Sequence, residues 1–464
     1  MEQSFRQPKN TEQYGIEQVP LEERNVKWHD LFTMIFNFLV NPGMILIAGT
    51  AVASGLSFWA SITSVVLGIF FAFVGYVIMA TIGVDYGVPG AVATRMVFGI
   101  QGSKYVISAF RTVYAIFWFA VQTLAGAAAL VVIIKEISGI ELSIVIVSLI
   151  FAVLQVVVSL FGYNWMKHLS RIGLPIKVFA LFYVVYLFMT HNDPNFSPAK
   201  VFSYQGTVGW EWGIFIFTLS TVAATWLSMV TDSADICRYS TSRVSMWVAS
   251  ILAACTGTFL SAFIGAYSAA ATFGTVPNGL EGAANIADGT FALIVIFLLI
   301  IFDNWTINVL NLYTGSLSLV NIAPRLGRFW SAFIVSVLGI AFSLVPTLLD
   351  SLLGTMNYLG SVYPSVAAVL ITDYIFIKKG NLIVDELYNH NGIYRYTKGW
   401  NVSACLWVIA GLIIYNLIPT NYFQTAVCIT VVSIGYYYTQ LYSGQIKNER
   451  NQLLKLEKQD KSAI

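Results

Sequence analysis

The chain has 464 residues, of which 57% are hydrophobic and only 10% charged. Apolar runs of about 20 residues recur along it, the length that crosses a bilayer, and the polar stretches between them are too short to fold alone. A soluble domain is therefore excluded, and a net charge of +2 gives no sign of a nucleic-acid partner. Cys237, Cys255, Cys405 and Cys428 stand singly, so neither a disulfide framework nor a CxxC metal pattern is present, and the four histidines are equally isolated.

Residues 1–30 are polar, show no cleavable signal and read as a cytoplasmic tail. The first apolar stretch, Leu31 to Ser54, carries Asn41-Pro42-Gly43 near its middle. Proline removes a backbone donor, and in hydrocarbon such a break is tolerated only where protein groups or a wet cavity satisfy the freed carbonyls. Broken helices of this kind coordinate small cations and polar substrates in transporters. A proline kink without a ligand is the plainer alternative.

Hydropathy and turn punctuation predict twelve spans, centred near Gly43, Ile69, Trp118, Ala152, Tyr183, Leu219, Gly257, Asp303, Val337, Gly360, Ala410 and Val432. With the amino terminus inside, every Lys and Arg except Lys135 and Lys200 falls on the cytoplasmic side or at its helix ends, so both termini are expected inside. The chain then divides into a tail at 1–30, a ten-helix core at 31–377, a cytoplasmic loop at 378–401, two peripheral helices at 402–443 and a second tail at 444–464. Span six, Trp210 to Val230, ends in the polar run Thr231 to Asp235, and its spacing from span one predicts a five-plus-five inverted repeat. It lacks Gly or Pro around Ala224 to Ser228, so its break is the weaker of the two.

In span three, Trp118 and Gln122 are four apart and share a helix face. An indole beside an amide suits a flat polar ring, which stacks on one and hydrogen-bonds the other; ordinary packing between helices is the alternative. Span eight reads Phe302-Asp303-Asn304-Trp305-Thr306-Ile307-Asn308-Val309-Leu310-Asn311. Asn304, Asn308 and Asn311 fall on one stripe, and Asp303 and Thr306 on another. An ionised carboxylate inside a span costs about 2.5 to 3.5 kcal/mol, which marks Asp303 as functional. Gln155, Asn357 and Thr225 are weaker in-span candidates, since each can simply satisfy a neighbouring helix.

These residues resemble the nucleobase:cation symporter-1 family of cytosine, purine, allantoin and hydantoin permeases, over most of the chain. Tyr86-Gly87-Val88-Pro89 through Arg95, Phe98-Gly99 and Gly102-Ser103 are similar to the family's cytoplasmic signature, which continues into Arg111, Ala115, Trp118-Phe119 and Gln122. Asp235-Ile236-Cys237-Arg238-Tyr239 resembles its Asp-x-x-Arg-aromatic element, nine residues after Trp226. Trp305 to Asn308 with Leu312-Tyr313, then Pro364 and Asp373-Tyr374, match as well.

The resemblance implies an all-α, LeuT-type fold, with spans one to five and six to ten as inverted repeats and two peripheral helices. Substrate would lie between Trp118 and Trp226, with Gln122 and Asn308 on its edge. Backbone near Pro42 and Gly43 would close one side, Thr225 would belong to the substrate site beside Trp226, and span ten around Asn357 would act as a gate. Thr225 stands where family members often have glycine, and Trp226 where cytosine permeases have Phe, so the pair with Gln122 is closer to hydantoin or allantoin carriers. A sodium site would use the carbonyls of Phe38 and Asn41 with the side chains of Asp303, Thr306 and the next position. That position is Ile307, which offers no oxygen, although the full charge of Asp303 can compensate. Proton coupling is the alternative, with Asp303 carrying the ion in either case.

The expected function is cation-driven uptake of a planar heterocycle by a monomer in the plasma membrane, without an organic cofactor. Uptake of a pyrimidine vitamin precursor by the same fold is the near alternative. A channel would need a continuous polar lining, whereas the polar residues cluster at one depth. An intramembrane enzyme would need a nucleophile–base pair or metal ligands within the spans, and none is evident.

Overall fold

The computed structural model describes residues 15–160, 163–349 and 352–444. Long apolar sequence in lipid must satisfy its backbone internally, and the chain does so with helices. Among the described residues, eight helices are long and apolar enough to cross a membrane, or nine if the bent pair Trp28–Leu39 and Pro42–Ala53 is one span. Two more apolar helices, Ile144–Val157 and Val402–Leu417, are shorter, and Gln424–Tyr442 follows them. A helix thus stands at each of the twelve centres, and the span numbers are kept below.

Span two is Phe58–Tyr86, three is Arg95–Ser138, five is Tyr163–Thr190 and six is Trp212–Thr231. Seven is Arg243–Ala271, eight Gly289–Ile322, nine Pro324–Phe342 and ten Leu352–Ile377. Side chains on the outer faces of these helices are apolar, as at Leu154, Phe179, Phe182 and Ile413, while the polar ones turn inward. Small residues let the central helices meet closely. A β-carbon at Gly265 in span seven would lie 1.8 Å from the Ile45 carbonyl, so only glycine lets span seven approach span one this near.

One expectation changes here. Span six breaks more firmly than its lack of Gly and Pro predicts: its α-helix ends at Trp226, tightens into a 3-10 turn over Leu227–Thr231, and resumes as Ser233–Cys237. The polar amino-terminal stretch packs on the helices from Gly15 on. Val19 and Val26 are buried, bonded to the carbonyls of Gly87 and Tyr239, and Tyr388 OH donates to the Ile16 carbonyl. The rest of that tail, 1–14, and the expected basic tail from 445 lie outside the described residues.

Candidate functional site

The halves of span one meet at 49°, and the groups freed by the break find partners one by one. Asn41 clasps both halves: its Oδ1 accepts from Met44 N at 2.8 Å and its Nδ2 donates to the Phe38 carbonyl at 2.7 Å. The Gly43 N–H donates to Gln122 Oε1 at 2.7 Å. A β-carbon on Gly43 would come within 2.7 Å of the Gln122 side chain, so glycine is what admits that bond. The carbonyls of Asn37 and Val40 accept from Lys177 Nζ at 2.7 and 2.8 Å.

Lys177 lies in span five and is fully buried. Its ammonium also donates to Thr306 Oγ1 at 3.0 Å and pairs with Asp303 Oδ1 at 2.7 Å, so four oxygens from spans one and eight surround one charge. Of the expected sodium ligands, Asp303 and Thr306 are in place. The carbonyls are shifted one residue back, because Phe38 O is taken by Asn41 and Asn41 O accepts from Ile45 N at 3.1 Å. In this arrangement the Lys177 ammonium contacts the carboxylate, hydroxyl and carbonyl oxygens of this corner itself. Span five comes this close through Gly173, where a β-carbon would lie 3.2 Å from Phe302, and through Asn37 Nδ2, which donates to the Ser170 carbonyl at 3.0 Å. Lys177 corrects the topology argument, which placed it among cytoplasmic helix ends. The available signal was a lysine inside the apolar run Leu174-Pro175-Ile176-Lys177-Val178-Phe179.

A cavity beside the break is lined by Arg111, Tyr114, Trp118, Gln122, Thr225, Trp226, Ser228, Met229, Ile307, Leu310 and Asn311. Arg111, Tyr114, Trp118 and Gln122 recur at spacings of three or four and form one stripe of span three. The expected residues Trp118, Gln122, Thr225 and Trp226 are thus brought together, with Gly43 holding Gln122 and Pro42 opening the second half of span one. Tyr114 OH donates to the Thr225 carbonyl at 3.0 Å, tying span three to the end of the span-six helix. Arg111 pairs with Asp232 just past the span-six break and donates to Thr314 Oγ1 at 2.8 Å.

Two expected residues stand elsewhere. Asn308 does not line the cavity: its Nδ2 bonds Gln155 Oε1 and Thr123 Oγ1, and its Oδ1 accepts from Asn311 Nδ2 at 3.3 Å. Asn311, one turn on, takes the wall instead. Asn357 lies outside, its Oδ1 accepting from Tyr415 OH at 2.9 Å and Thr221 Oγ1 at 3.3 Å. Asn311, Tyr114 and Ser228 line the cavity without being expected there, and Arg111, expected only as part of the loop signature, joins them. Arg111 was legible as an arginine seven residues before Trp118, two turns along the same face.

A multi-pass helical bundle with a buried polar cavity at a broken helix has the architecture of a membrane transporter. The chain matches the family of permeases for cytosine/purines, uracil, thiamine and allantoin over residues 18–439, and it belongs to that family. It is a permease and not an enzyme. The hydantoin permease of Microbacterium maritypicum is 25% identical over 428 residues, covering 87% of this chain and 84% of the relative. The allantoin permease of Bacillus subtilis (strain 168) is 23% identical, covering 85% of each. The solved structure of MHP1, a nucleobase-cation-symport-1 family transporter in a closed conformation with bromovinylhydantoin bound, shares the fold with a TM-score of 0.80 at 20% identity. That likeness covers 93% of this chain and 95% of MHP1. The family resemblance read from the sequence is borne out.

Proposed function

We propose that this permease imports a planar nucleobase-like heterocycle across the plasma membrane, driven by a cation gradient. One observation carries the reading: two tryptophans from different helices, Trp118 and Trp226, line one cavity with Gln122, whose amide is held in place by the broken helix. Indole faces suit a flat ring, and amides suit its polar edge. The hydantoin and allantoin permeases among the relatives support this substrate class. Asp303, buried in span eight and adjacent to the break through Lys177, is the residue assigned to cation coupling.

The reading includes twelve spans, both termini cytoplasmic, and a five-plus-five inverted repeat. Packing supports the repeat, since several contacts of the first half have counterparts in the second. Span one packs on seven as six packs on two, one on five as six on ten, and three on four as eight on nine. The test is uptake of radiolabelled nucleobases, hydantoin and allantoin by cells lacking their own permeases. Saturable uptake of at least one that collapses with an ionophore is expected, and no saturable uptake of any overturns the reading. Asp303→Asn should abolish accumulation while leaving exchange of substrate measurable; full accumulation by that variant removes Asp303 from coupling.

A further inference from the structure

In the proposed orientation a substrate reaches the tryptophan cavity through the outer half of the protein, and a second cavity of about 540 Å³ lies there. That volume is within the range of small-molecule sites, whereas the cavity between the tryptophans is far smaller, at about 40 Å³. The two share a helix face. Along the second half of span one, Gly43, Leu46, Thr50 and Ser54 follow at spacings of three or four; the first holds Gln122 and the other three line the outer cavity. On span three the outer wall is met at Ala128, six residues and so about 9 Å along the axis from Gln122. Leu349, Leu352 and Leu353 at the start of span ten supply an apolar side, and the segment joining spans seven and eight adds Thr275, Asn278 and Glu281.

The polar groups of this wall are one-sided. Thr50 Oγ1 donates to the Leu46 carbonyl at 2.8 Å, Ser54 Oγ to the Thr50 carbonyl at 2.9 Å, and Thr275 Oγ1 to the Thr272 carbonyl at 2.8 Å. Asn278 is spent on the backbone in both senses, its Nδ2 donating to the Ala125 carbonyl at 3.1 Å and its Oδ1 accepting from Leu280 N at 3.2 Å. Each hydroxyl has thus used its hydrogen and keeps lone pairs. Glu281, half-buried in the wall, has neither a hydrogen bond nor an ion pair among the described residues. A carboxylate only accepts, so the cavity presents acceptors beside an apolar surface.

We propose that this outer cavity is a second substrate site, in which Glu281 accepts ring N–H groups of an uncharged imide or ureide heterocycle before the ring passes inward to Trp118 and Trp226. The proposal rests on the reading of the chain as a carrier of planar heterocycles, and it deepens that reading by adding a site and a selection rule. Rings with N–H groups beside carbonyls can lay a face on the leucines and donate an edge to the carboxylate. A ring carrying its own carboxylate meets like charge and a wall without a cationic group among the described residues, so anionic heterocycles are turned away here.

Ser54, exposed at the rim, provides the reporter. Ser54→Cys in the full-length protein is labelled in intact cells with a membrane-impermeant maleimide, the chain without that change serving as blank. Labelling rates are measured against rising hydantoin, allantoin, uracil and uracil-6-carboxylate. At least one of the three uncharged rings should slow labelling in a saturable way, and uracil-6-carboxylate should not. Adding Trp118→Ala, which strips the inner site, should leave the protection in place. Adding Glu281→Ala should raise the half-protecting concentration about tenfold or more, the loss expected for a hydrogen bond to a charged group, with surface expression retained. Protection by none of the uncharged rings overturns the proposal. So does protection that survives Glu281→Ala unchanged, that disappears with Trp118→Ala, or that uracil-6-carboxylate gives as well. Labelling needs no transport, so protection without uptake refutes the carrier reading alone, and uptake without protection refutes the outer site alone.

Discussion

The Lys177–Asp303 pair makes an asymmetric prediction about stability. Lys177→Met leaves the Asp303 carboxylate buried with no counter-charge, and the carbonyls of Asn37 and Val40 lose their donor. Removing one partner of a buried ion pair costs about 3–5 kcal/mol, so this variant should lose at least that much. Asp303→Asn is milder, because the ammonium keeps three neutral acceptors, Asn37 O, Val40 O and Thr306 Oγ1, and gains the amide oxygen as a fourth. Its loss should be about 1.5–3 kcal/mol, the worth of a hydrogen bond to a charged group. In Lys177→Met with Asp303→Asn no charge is left stranded. The double variant should therefore be more stable than the sum of the single losses by about 3 kcal/mol. Equilibrium unfolding in mixed micelles measures all four proteins. Equal losses in the two single variants, with a double that adds within about 0.5 kcal/mol, would show that the two groups do not stabilise each other as charges.

Four further outcomes are expected. Trp118→Ala and Trp226→Ala should each weaken substrate binding about 5- to 150-fold, the range set by stacking worth about 1–3 kcal/mol per ring, with folding retained; unchanged affinity returns that tryptophan to packing. Gly43→Ala should push Gln122 off its backbone donor, since the new carbon meets the amide at 2.7 Å, and leave the buried N–H unpaired at about 1–3 kcal/mol; an unchanged substrate affinity argues against Gln122 as a contact. Asn311→Ala should reorder preference among substrate analogues more than Asn308→Ala, which reaches the cavity only through Asn311; competition assays rank the two. A cysteine at exposed Asn192 should label from outside the cell and one at exposed His390 only after permeabilisation, and the reverse pattern refutes the orientation.

Much of the site was legible where a single helix defines it. The run Asn41-Pro42-Gly43 breaks any helix, Trp118 and Gln122 share a face by spacing alone, and Asp303 is too costly in a span to be idle. What was missed depends on several helices at once. Lys177 is buried because Gly173 lets span five close on spans one and eight, and no local pattern in span five reveals that approach. Asn308 and Asn311 lie on one stripe, and the rotation of span eight against span three decides which of them faces the cavity. Asn308 is drawn aside by Gln155 and Thr123. The break in span six had no glycine or proline to announce it. The chain unwinds there at Leu227–Thr231, just before Asp232, which pairs with Arg111 of span three.

The broken helix joins the two sites because its two new ends carry opposite partial charges, about half an elementary charge each for a long helix. The first half ends in the Asn37 and Val40 carbonyls, which face the ammonium of Lys177; the second begins with the Gly43 amide, which faces Gln122 in the cavity wall. Asn41 ties one half to the other with bonds in both directions. Span eight repeats the connection on a continuous helix. Asp303 and Thr306 meet Lys177, and Asn311, eight residues after Asp303 and so about 12 Å along the axis, meets the cavity. A displacement of span eight at Asp303 is therefore carried to Asn311 unless the helix bends. A tilt of the second half of span one strains the Gly43–Gln122 bond unless span three follows. In the proposed reading, a change in the bonds around Lys177 reaches the cavity walls through these two elements. A coupling free energy is shared between the sites it links, so in the proposed reading substrate binding would shift the Lys177–Asp303 pair to the same extent in return.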